Sequence, residues 1–250
     1  MTEFIVTRKE AGIFWIRINR PAKKNAVTPS MYAEITRLLK EASNDSEVLL
    51  TALTGTGEYF SSGSDLSRPE GAPDGNDNPF YSYVSALIDH SKPLIALVNG
   101  PAIGAAVTVL ALFDQVLASD NATFFIPFAQ LGITPEACSS YTFPLLMGHQ
   151  RAASMLLFAE KFSVQQALAV GLVNRVIVDK HFRRESNEFL RSIAKLPHQA
   201  IVEGKKLMRG DVRTHLHAVH DLEMIKLAER FKSAQVQAIL ASKFKAKSKV

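Results

Sequence analysis

The sequence predicts an α/β fold, and three observations lead there. Short apolar runs rich in β-formers recur at 13–18, 48–53, 93–98 and 115–118. Stretches of helical period lie between them, which implies βαβ units with helices packed over a largely parallel sheet. Beyond about residue 138 the helical period takes over, interrupted by one short strand at 173–178. No internal repeat or long linker divides the chain. The expectation is one α/β domain: a core over 1–190 and a helical C-terminal part of the same domain over 191–250.

Each element has its own signal. Ile13, Phe14, Trp15, Ile16 and Ile18 make an alternating strand that Arg20-Pro21 ends. Thr28-Pro29 reads as an N-cap with proline at the first helical position, opening a helix to about Ala42. The apolar run 48–53 stops at Thr54-Gly55-Thr56-Gly57, a buried strand followed by a turn. Residues 67–78, rich in Gly, Pro, Asp and Asn, predict a surface loop or lid. A helix at 80–90 leads to the strand at 93–98 and the turn Asn99-Gly100-Pro101. An apolar helix at 104–112 precedes the strand at 115–118, and 228–240 supplies a last amphipathic helix before a basic tail.

Composition narrows the function classes. With 47% hydrophobic and 21% charged residues and a net charge of +5, the 250-residue chain is a globular protein rather than a disordered one. A single cysteine, Cys138, leaves neither an internal disulfide framework nor a cysteine-based zinc site and suits a reducing compartment. No stretch reaches the ~18 apolar residues of a membrane span, since 94–112 is broken by Asn99, Gly100, Pro101 and Gly104. The N-terminus shows no secretory signal pattern, so no membrane association is expected. Residues 180–250 carry 16 basic and 7 acidic groups, net +9, against net −4 before them. Such a face suits solvated helices or a phosphorylated ligand; without an RNA-recognition motif or aromatic platform, no nucleic-acid partner is expected.

Several catalytic motifs are missing. There is no Gly-x-x-x-x-Gly-Lys-[Ser/Thr] phosphate loop and no Gly-x-Ser-x-Gly nucleophile elbow, and Gly55-x-Gly57 lacks the third glycine of a dinucleotide fingerprint. His215, His217 and His220 do not share one helix face, so no metal is expected. Two glycine turns remain, each just after a strand: Tyr59-Phe60-Ser61-Ser62-Gly63-Ser64-Asp65-Leu66 and Asn99-Gly100-Pro101-Ala102-Ile103-Gly104-Ala105-Ala106. Backbone N–H groups from two such turns, aimed at one point, would form an oxyanion hole.

This pair, about forty residues apart, resembles the enoyl-CoA hydratase/isomerase superfamily, the crotonase family. The resemblance covers nearly the whole chain, with Asn19-Arg20-Pro21, Asn25-Ala26, Asp114 and Ala167-x-x-x-Gly171-Leu172-Val173 as further matches. It implies a (ββα)n spiral core, a helical C-terminal trimerisation part and stabilisation of a thioester enolate by the backbone N–H groups of Ser64 and Ala105. The two glutamates of the family's hydratases fall, by spacing, on Thr108 and Phe128, neither of which can move a proton. The segment Leu131-Gly132-Ile133-Thr134-Pro135-Glu136-Ala137-Cys138 is instead similar to the peroxisomal Δ3,Δ2-enoyl-CoA isomerases, which makes Glu136 the single base. An apolar setting of Ile133, Phe143 and Leu145 is expected to raise its pKa. Taken alone, a carboxylate there equally suits a helix's first turn.

The same resemblance suggests that Ala26, Ser62, Gly63, Asp65, Leu66 and Gly104 line the acyl-CoA path and that Lys23, with Lys24, meets the phosphates. It implies no cofactor beyond the coenzyme A carried by the substrate, and a homotrimer or dimer of trimers. The terminal Ser248-Lys249-Val250 differs from a peroxisomal import tripeptide in its last residue, which predicts the peroxisome and its import receptor as a partner. Two alternatives remain open: another crotonase-type activity such as a hydratase or dienoyl-CoA isomerase, and a non-catalytic CoA-binding interaction module. The second resembles chromodomain-associated relatives that lack the carboxylate.

Overall fold

The computed structural model describes residues 4–66 and 78–247. The loop expected at 67–78, except Asn78, and the tripeptide Ser248-Lys249-Val250 lie outside the described residues. Nine strands are described: β1 Ile5–Glu10, β2 Ile13–Ile18, β3 Leu50–Gly55, β4 Leu94–Val98, β5 Ala102–Ile103, β6 Gln115–Ser119, β7 Thr123–Phe125, β8 Phe162–Ser163 and β9 Arg175–Ile177. The larger sheet runs β1-β2-β3-β4-β6-β9, antiparallel only at β1–β2, and the smaller runs β5-β7-β8.

The helices follow in order. α1 is Pro29–Asn44, α2 Pro79–Asp89, α3 Ala105–Thr108, α4 Phe128–Leu131 and α5 Ser139–Met147. α6 is His149–Leu156, α7 Val164–Ala169, α8 Asp179–Ala194, α9 His198–Lys232 and α10 Ala234–Lys247. Thr28 caps α1 as expected, its hydroxyl accepting the Met31 N–H at 3.3 Å ahead of Pro29.

Alternation along the strands sorts the core into two faces. Ile13, Trp15, Leu50, Ala52, Ile95, Leu97 and Leu117 pack on one side with Phe182 and Leu190 of α8. Ile16, Ile18, Leu53, Ala96, Val98 and Val116 point to the other side, under α1 and α2. The central strands are therefore apolar on both faces, as a covered parallel sheet requires.

The structure departs from the sequence reading in several places. β1 was not expected, because only Ile5 of its six residues is fully buried and the rest read as polar loop. It forms because Ala11 (φ 51°) and Gly12 (φ 74°) make a two-residue hairpin turn with positive φ at both positions. A Cβ at Gly12 would meet Leu49 Cδ1 at 2.6 Å. The two- and three-residue strands β5, β7 and β8 are too short to show a period. The helix expected at 104–112 is α3 followed by a 3-10 turn, Val109–Leu112. The single helix expected at 228–240 is split. Ser233 leaves helical backbone (ψ 141°), accepts the Val236 N–H and donates to Arg230 O, ending α9 and starting α10.

α9 is anchored to the sheet by charge. Asp114 Oδ2 accepts the Leu94 N–H at 2.8 Å and Lys205 Nζ at 2.6 Å, while Arg209 reaches its other oxygen at 3.3 Å. Burial pushes the Lys205 amine down to about 8, against the pull of Asp114.

Asn25, fully buried with φ 55°, ties the first glycine turn to the end of β2. Its side chain accepts the Arg20 N–H at 3.0 Å and donates to Thr56 O at 2.9 Å and Tyr59 O at 2.6 Å, and its own carbonyl accepts the Ser61 hydroxyl. Asn25→Ala would leave the part-buried Arg20 N–H and Thr56 O without this partner at ~1–3 kcal/mol each, Tyr59 O keeping Asn99, and force alanine into left-handed backbone. A loss of about 3 kcal/mol or more is expected from urea unfolding; a loss below about 1 kcal/mol would show that the turn holds without this amide.

Candidate active site

Three chain segments zip together to build the site. Ser62 N–H donates to Lys24 O, Val27 N–H to Gly63 O and Asp65 N–H to Val27 O, each at 2.9 Å. Phe60 N–H donates to Pro101 O and Ile103 N–H to Ser61 O, which lays the first glycine turn alongside the second. Gly63 (φ +79°) permits the approach. A Cβ there would lie 2.6 Å from Ile103 O and 3.2 Å from the Ala105 nitrogen.

These bonds pass over Ser64 and Ala105. Among the described residues, the Ser64 and Ala105 N–H groups bond to no backbone carbonyl. Ala105 is the first residue of α3, where a helical N–H has no partner within the helix. Gly104 turns the chain there with φ 61° and ψ −126°, a conformation open to glycine, while its own N–H is held by Phe125 O at 2.8 Å. Gly63, Ala105 and Ala106 share a small cavity of about 20 Å³ with Val27, Tyr32 and Phe60.

Glu136 sits in the loop before α5 and is 6% exposed. Its carboxyl forms no hydrogen bond with the described residues, and burial, reinforced by the charge of Glu223, pushes it up to about 8. Of the residues expected to make its apolar setting, Phe143 is buried in the core and Ile133 packs against it, whereas Leu145 does not. Leu145 is 71% exposed, because two residues along α5 from the inward Phe143 is the opposite side of the helix.

Tyr32 and Glu223 are the site residues that the sequence reading missed. The Tyr32 hydroxyl is 2.9 Å from the Ser64 hydroxyl, and burial first, then the neighbouring Glu136 charge, hold the phenol well above its ordinary range. Tyr32 therefore stays a neutral hydroxyl against Ser64. Glu223, from α9, accepts the N–H groups of Cys138 and Ser140. Tyr32 reads as one more apolar position of an amphipathic helix, and Glu223 lies more than eighty residues from the loop that it meets.

Ser62, Gly63, Ser64, Gly104 and Ala105 are thus brought together, with the Tyr32 hydroxyl on Ser64, and the charge of Glu136 acts on Tyr32. Ala26 borders the same zipped segment; its carbonyl accepts Arg20 at 3.1 Å. The Asp65 carboxylate pairs with Arg20 at 2.5 Å, both largely buried, and Leu66 packs against Leu131, Val236 and Leu240 beneath α10. Lys23 is exposed at the end of a 3-10 turn, and Lys24 Nζ lies 5.1 Å from the Tyr59 ring. Thr108 is buried and donates to Ala105 O, and Phe128 is buried with its ring edge 3.5 Å from where a Gly104 Cβ would stand. The three histidines disperse: His215 against Tyr141, His217 to Asp89 at 2.9 Å and His220 stacked on Tyr81. A larger cleft of about 350 Å³ between α1 and α2, lined by Lys40, Ser43, Tyr81 and Asp89, shares no residue with this site.

Sheet order, the paired glycine turns and the C-terminal helices define a crotonase-type fold. The chain belongs to the enoyl-CoA hydratase/isomerase family, whose model matches residues 8–249. A Rattus norvegicus protein named enoyl-CoA delta isomerase 2 is 44% identical over 245 residues, 95% of this chain and 62% of that protein. A Mus musculus protein named enoyl-CoA delta isomerase 3, peroxisomal, is 43% identical over 233 residues, 90% of this chain and 73% of that protein. The chain thus spans less than two thirds of the rat relative's length. The crystal structure of an enoyl-CoA hydratase/isomerase from Pseudoalteromonas atlantica T6c superposes with a TM-score of 0.92 at 30% identity, covering 98% of both chains.

The buried Glu136 carries a stability consequence. Because its pKa is raised, the folded chain holds a proton that the unfolded chain has released between about pH 4.5 and about pH 8. Stability contributed at this position is therefore lost as pH rises through that window. Glu136→Gln should match the parent near pH 5 and exceed its stability at pH 9 by on the order of a few kcal/mol in urea unfolding. A variant less stable than the parent at pH 9 would contradict the uncompensated burial.

Proposed function

We propose that this chain is a Δ3,Δ2-enoyl-CoA isomerase, converting 3-cis- or 3-trans-enoyl-CoA into 2-trans-enoyl-CoA in the oxidation of unsaturated fatty acids. The observation that carries the reading is a buried Glu136 whose carboxyl has no hydrogen-bond partner among the described residues, in a chain whose Ser64 and Ala105 N–H groups bond to no backbone carbonyl, with Thr108 and Phe128 where the resemblance would need a second acid. The substrate thioester oxygen would accept the N–H groups of Ser64 and Ala105. Glu136 would take a proton from carbon 2, the electron pair of that C–H bond forming a double bond to carbon 1 while the carbonyl electrons move onto the thioester oxygen. This gives a dienolate conjugated with the double bond between carbon 3 and carbon 4 and stabilised by these donors. The same carboxyl returns the proton to carbon 4, leaving the double bond conjugated. One base suffices, and no group beyond the coenzyme A of the substrate takes part.

Further features fit the reading. The relatives' names support the activity, and that of the mouse protein supports a peroxisomal location. Exposed Leu145, Leu146, Leu157 and Phe158 on and after α5 and α6 supply apolar surface for the trimer that the resemblance implies. Light scattering would show whether three chains associate. Ser62, Gly63, Asp65 and Leu66 follow the pantetheine path through their backbone, and Lys23 is free to meet phosphate.

The test is incubation with 3-hexenoyl-CoA and, separately, 2-hexenoyl-CoA, following the absorbance of the conjugated thioester. A gain with the first and no loss with the second is expected; loss with the second would make the protein a hydratase. Glu136→Gln should lower turnover by at least ~10²–10⁴-fold with little change in CoA-ester affinity, whereas Thr108→Ala should not mimic it. Turnover of Glu136→Gln within about tenfold of the parent would remove Glu136 from the mechanism. Ala105→Pro deletes an oxyanion donor and should abolish activity, while Ser64→Ala keeps its N–H and most of the rate. In the parent, kcat/KM should rise as pH rises through about 8, because only the ionised Glu136 abstracts a proton.

A further inference from the structure

Glu223 lies in the middle of α9 and is 5% exposed. One of its carboxylate oxygens accepts the Cys138 N–H at 2.6 Å and the other accepts the Ser140 N–H at 2.9 Å. These amides open α5, directly after Glu136. Between them and the base the chain takes an unusual path. Ala137 (φ 58°) and Cys138 (φ 61°) are both in the left-handed region, both fully buried, and neither is glycine. Two consecutive L residues with Cβ atoms do not hold this conformation unless their surroundings impose it.

α9 imposes it at several points. Besides the two amides, the Cys138 thiol donates to Leu216 O at 3.3 Å. The Ser139 N–H and hydroxyl close the turn onto Glu136 O at 3.2 Å and 2.7 Å. Among the described residues Glu223 forms no salt bridge; burial raises its carboxyl above the ordinary range, and the hydrogen bonds from Ser140 and Cys138 oppose that shift. α9 is in turn pinned to the sheet through Lys205, Arg209 and Asp114.

We propose that Glu223 is a positioning residue for the base: by gripping both amides of the left-handed Ala137–Cys138 turn, it fixes the direction in which the Glu136 carboxyl enters the site. This inference rests on Glu136 being the base. The titratable groups coupled by charge to Glu136 are Tyr32 from α1 and Glu223 from α9; the Glu223 charge also acts on the Cys138 thiol. The arrangement has an electrostatic consequence that mere anchoring would lack. The Glu223 charge opposes ionisation of Glu136, so removing it should let Glu136 lose its proton at lower pH.

The experiment uses the full chain. In Glu223→Gln the side chain keeps its shape but loses its charge and one acceptor. Carbon-13 labelling of glutamate carboxyls, with the Glu136 signal identified by its loss in Glu136→Gln, gives the titration midpoint without substrate. The midpoint should fall by about half a pH unit or more from the parent's, while kcat for 3-hexenoyl-CoA at pH 9 drops about tenfold and KM changes less than about threefold. Adding Ala137→Gly, which accepts left-handed backbone without strain, should recover part of kcat and leave the midpoint low. This double variant also carries both measurements if Glu223→Gln alone does not fold. A midpoint equal to the parent's together with kcat within about twofold would overturn the proposal, as would no recovery on adding glycine. Glu136→Gln assayed in parallel separates the two ideas: if it isomerises as well as the parent, the assignment of the base fails, while the carboxyl titration still reports on Glu223.

Discussion

A carboxylate buried without a cation is the constraint around which this chain is arranged. Removing a charge from water is unfavourable, and proteins ordinarily answer with an ion pair, a set of hydrogen bonds or a proton. Glu136 has only the proton, and its one charged neighbour, Glu223, has the same sign. The loop that carries it therefore has no intrinsic reason to keep the carboxyl inside. It must be held there by bonds made elsewhere: the Glu223 clamp, the Cys138–Leu216 contact and the apolar contacts of Phe143. The benefit is chemical. A carboxylate stripped of water is a stronger base, and its pKa lies near working pH, where abstraction and return of a proton are closest to balance.

The opposite side of the site is built from backbone alone. Donors that belong to the main chain cannot rotate away, but they must be left unpaired while every neighbouring amide is satisfied. The segments around Val27, Ser61 and Ala102 bond the Asp65 N–H to Val27 O and the Gly104 N–H to Phe125 O and pass over Ser64 and Ala105. Gly63 and Gly104 make the spacing possible. Asn25 replaces backbone partners that the tight turn cannot reach, which links the stability of the early segment to the geometry of the two glycine turns.

The sequence made the central strands, α1, α2 and both glycine turns legible, because each rests on local signals: alternation, a Thr-Pro cap, glycine after a strand. Glu136 became legible only through its surrounding motif. What stayed hidden depends on contacts distant in sequence. β1 is a polar edge strand whose register comes from its hairpin turn, not from burial. Tyr32 shows only as an inward position of a helix, with no sign that its hydroxyl meets Ser64. Leu145 was placed with Phe143 by proximity in sequence, although helix geometry sends the two apart. Glu223 stands among exposed neighbours in a long polar helix, and only the packing of α9 on α5 shows that it faces inward.

Phe128 bears on the kind of chemistry that this arrangement can host. Adding water across a double bond requires a water molecule held between acid and base, and therefore polar groups on two sides of the substrate. Here one of those sides carries an aromatic ring, packed where the chain turns at Gly104, and the buried Thr108 hydroxyl is spent on the carbonyl of Ala105. Such a wall offers a water molecule no partner, and a site with few polar partners holds water poorly. Moving a proton between two carbons of one substrate needs no water at all, and a dry pocket protects the dienolate from stray protonation. On the proposed reading, Thr108 and Phe128 in place of acids would thus also keep solvent from competing with Glu136, and both effects would favour isomerisation over hydration.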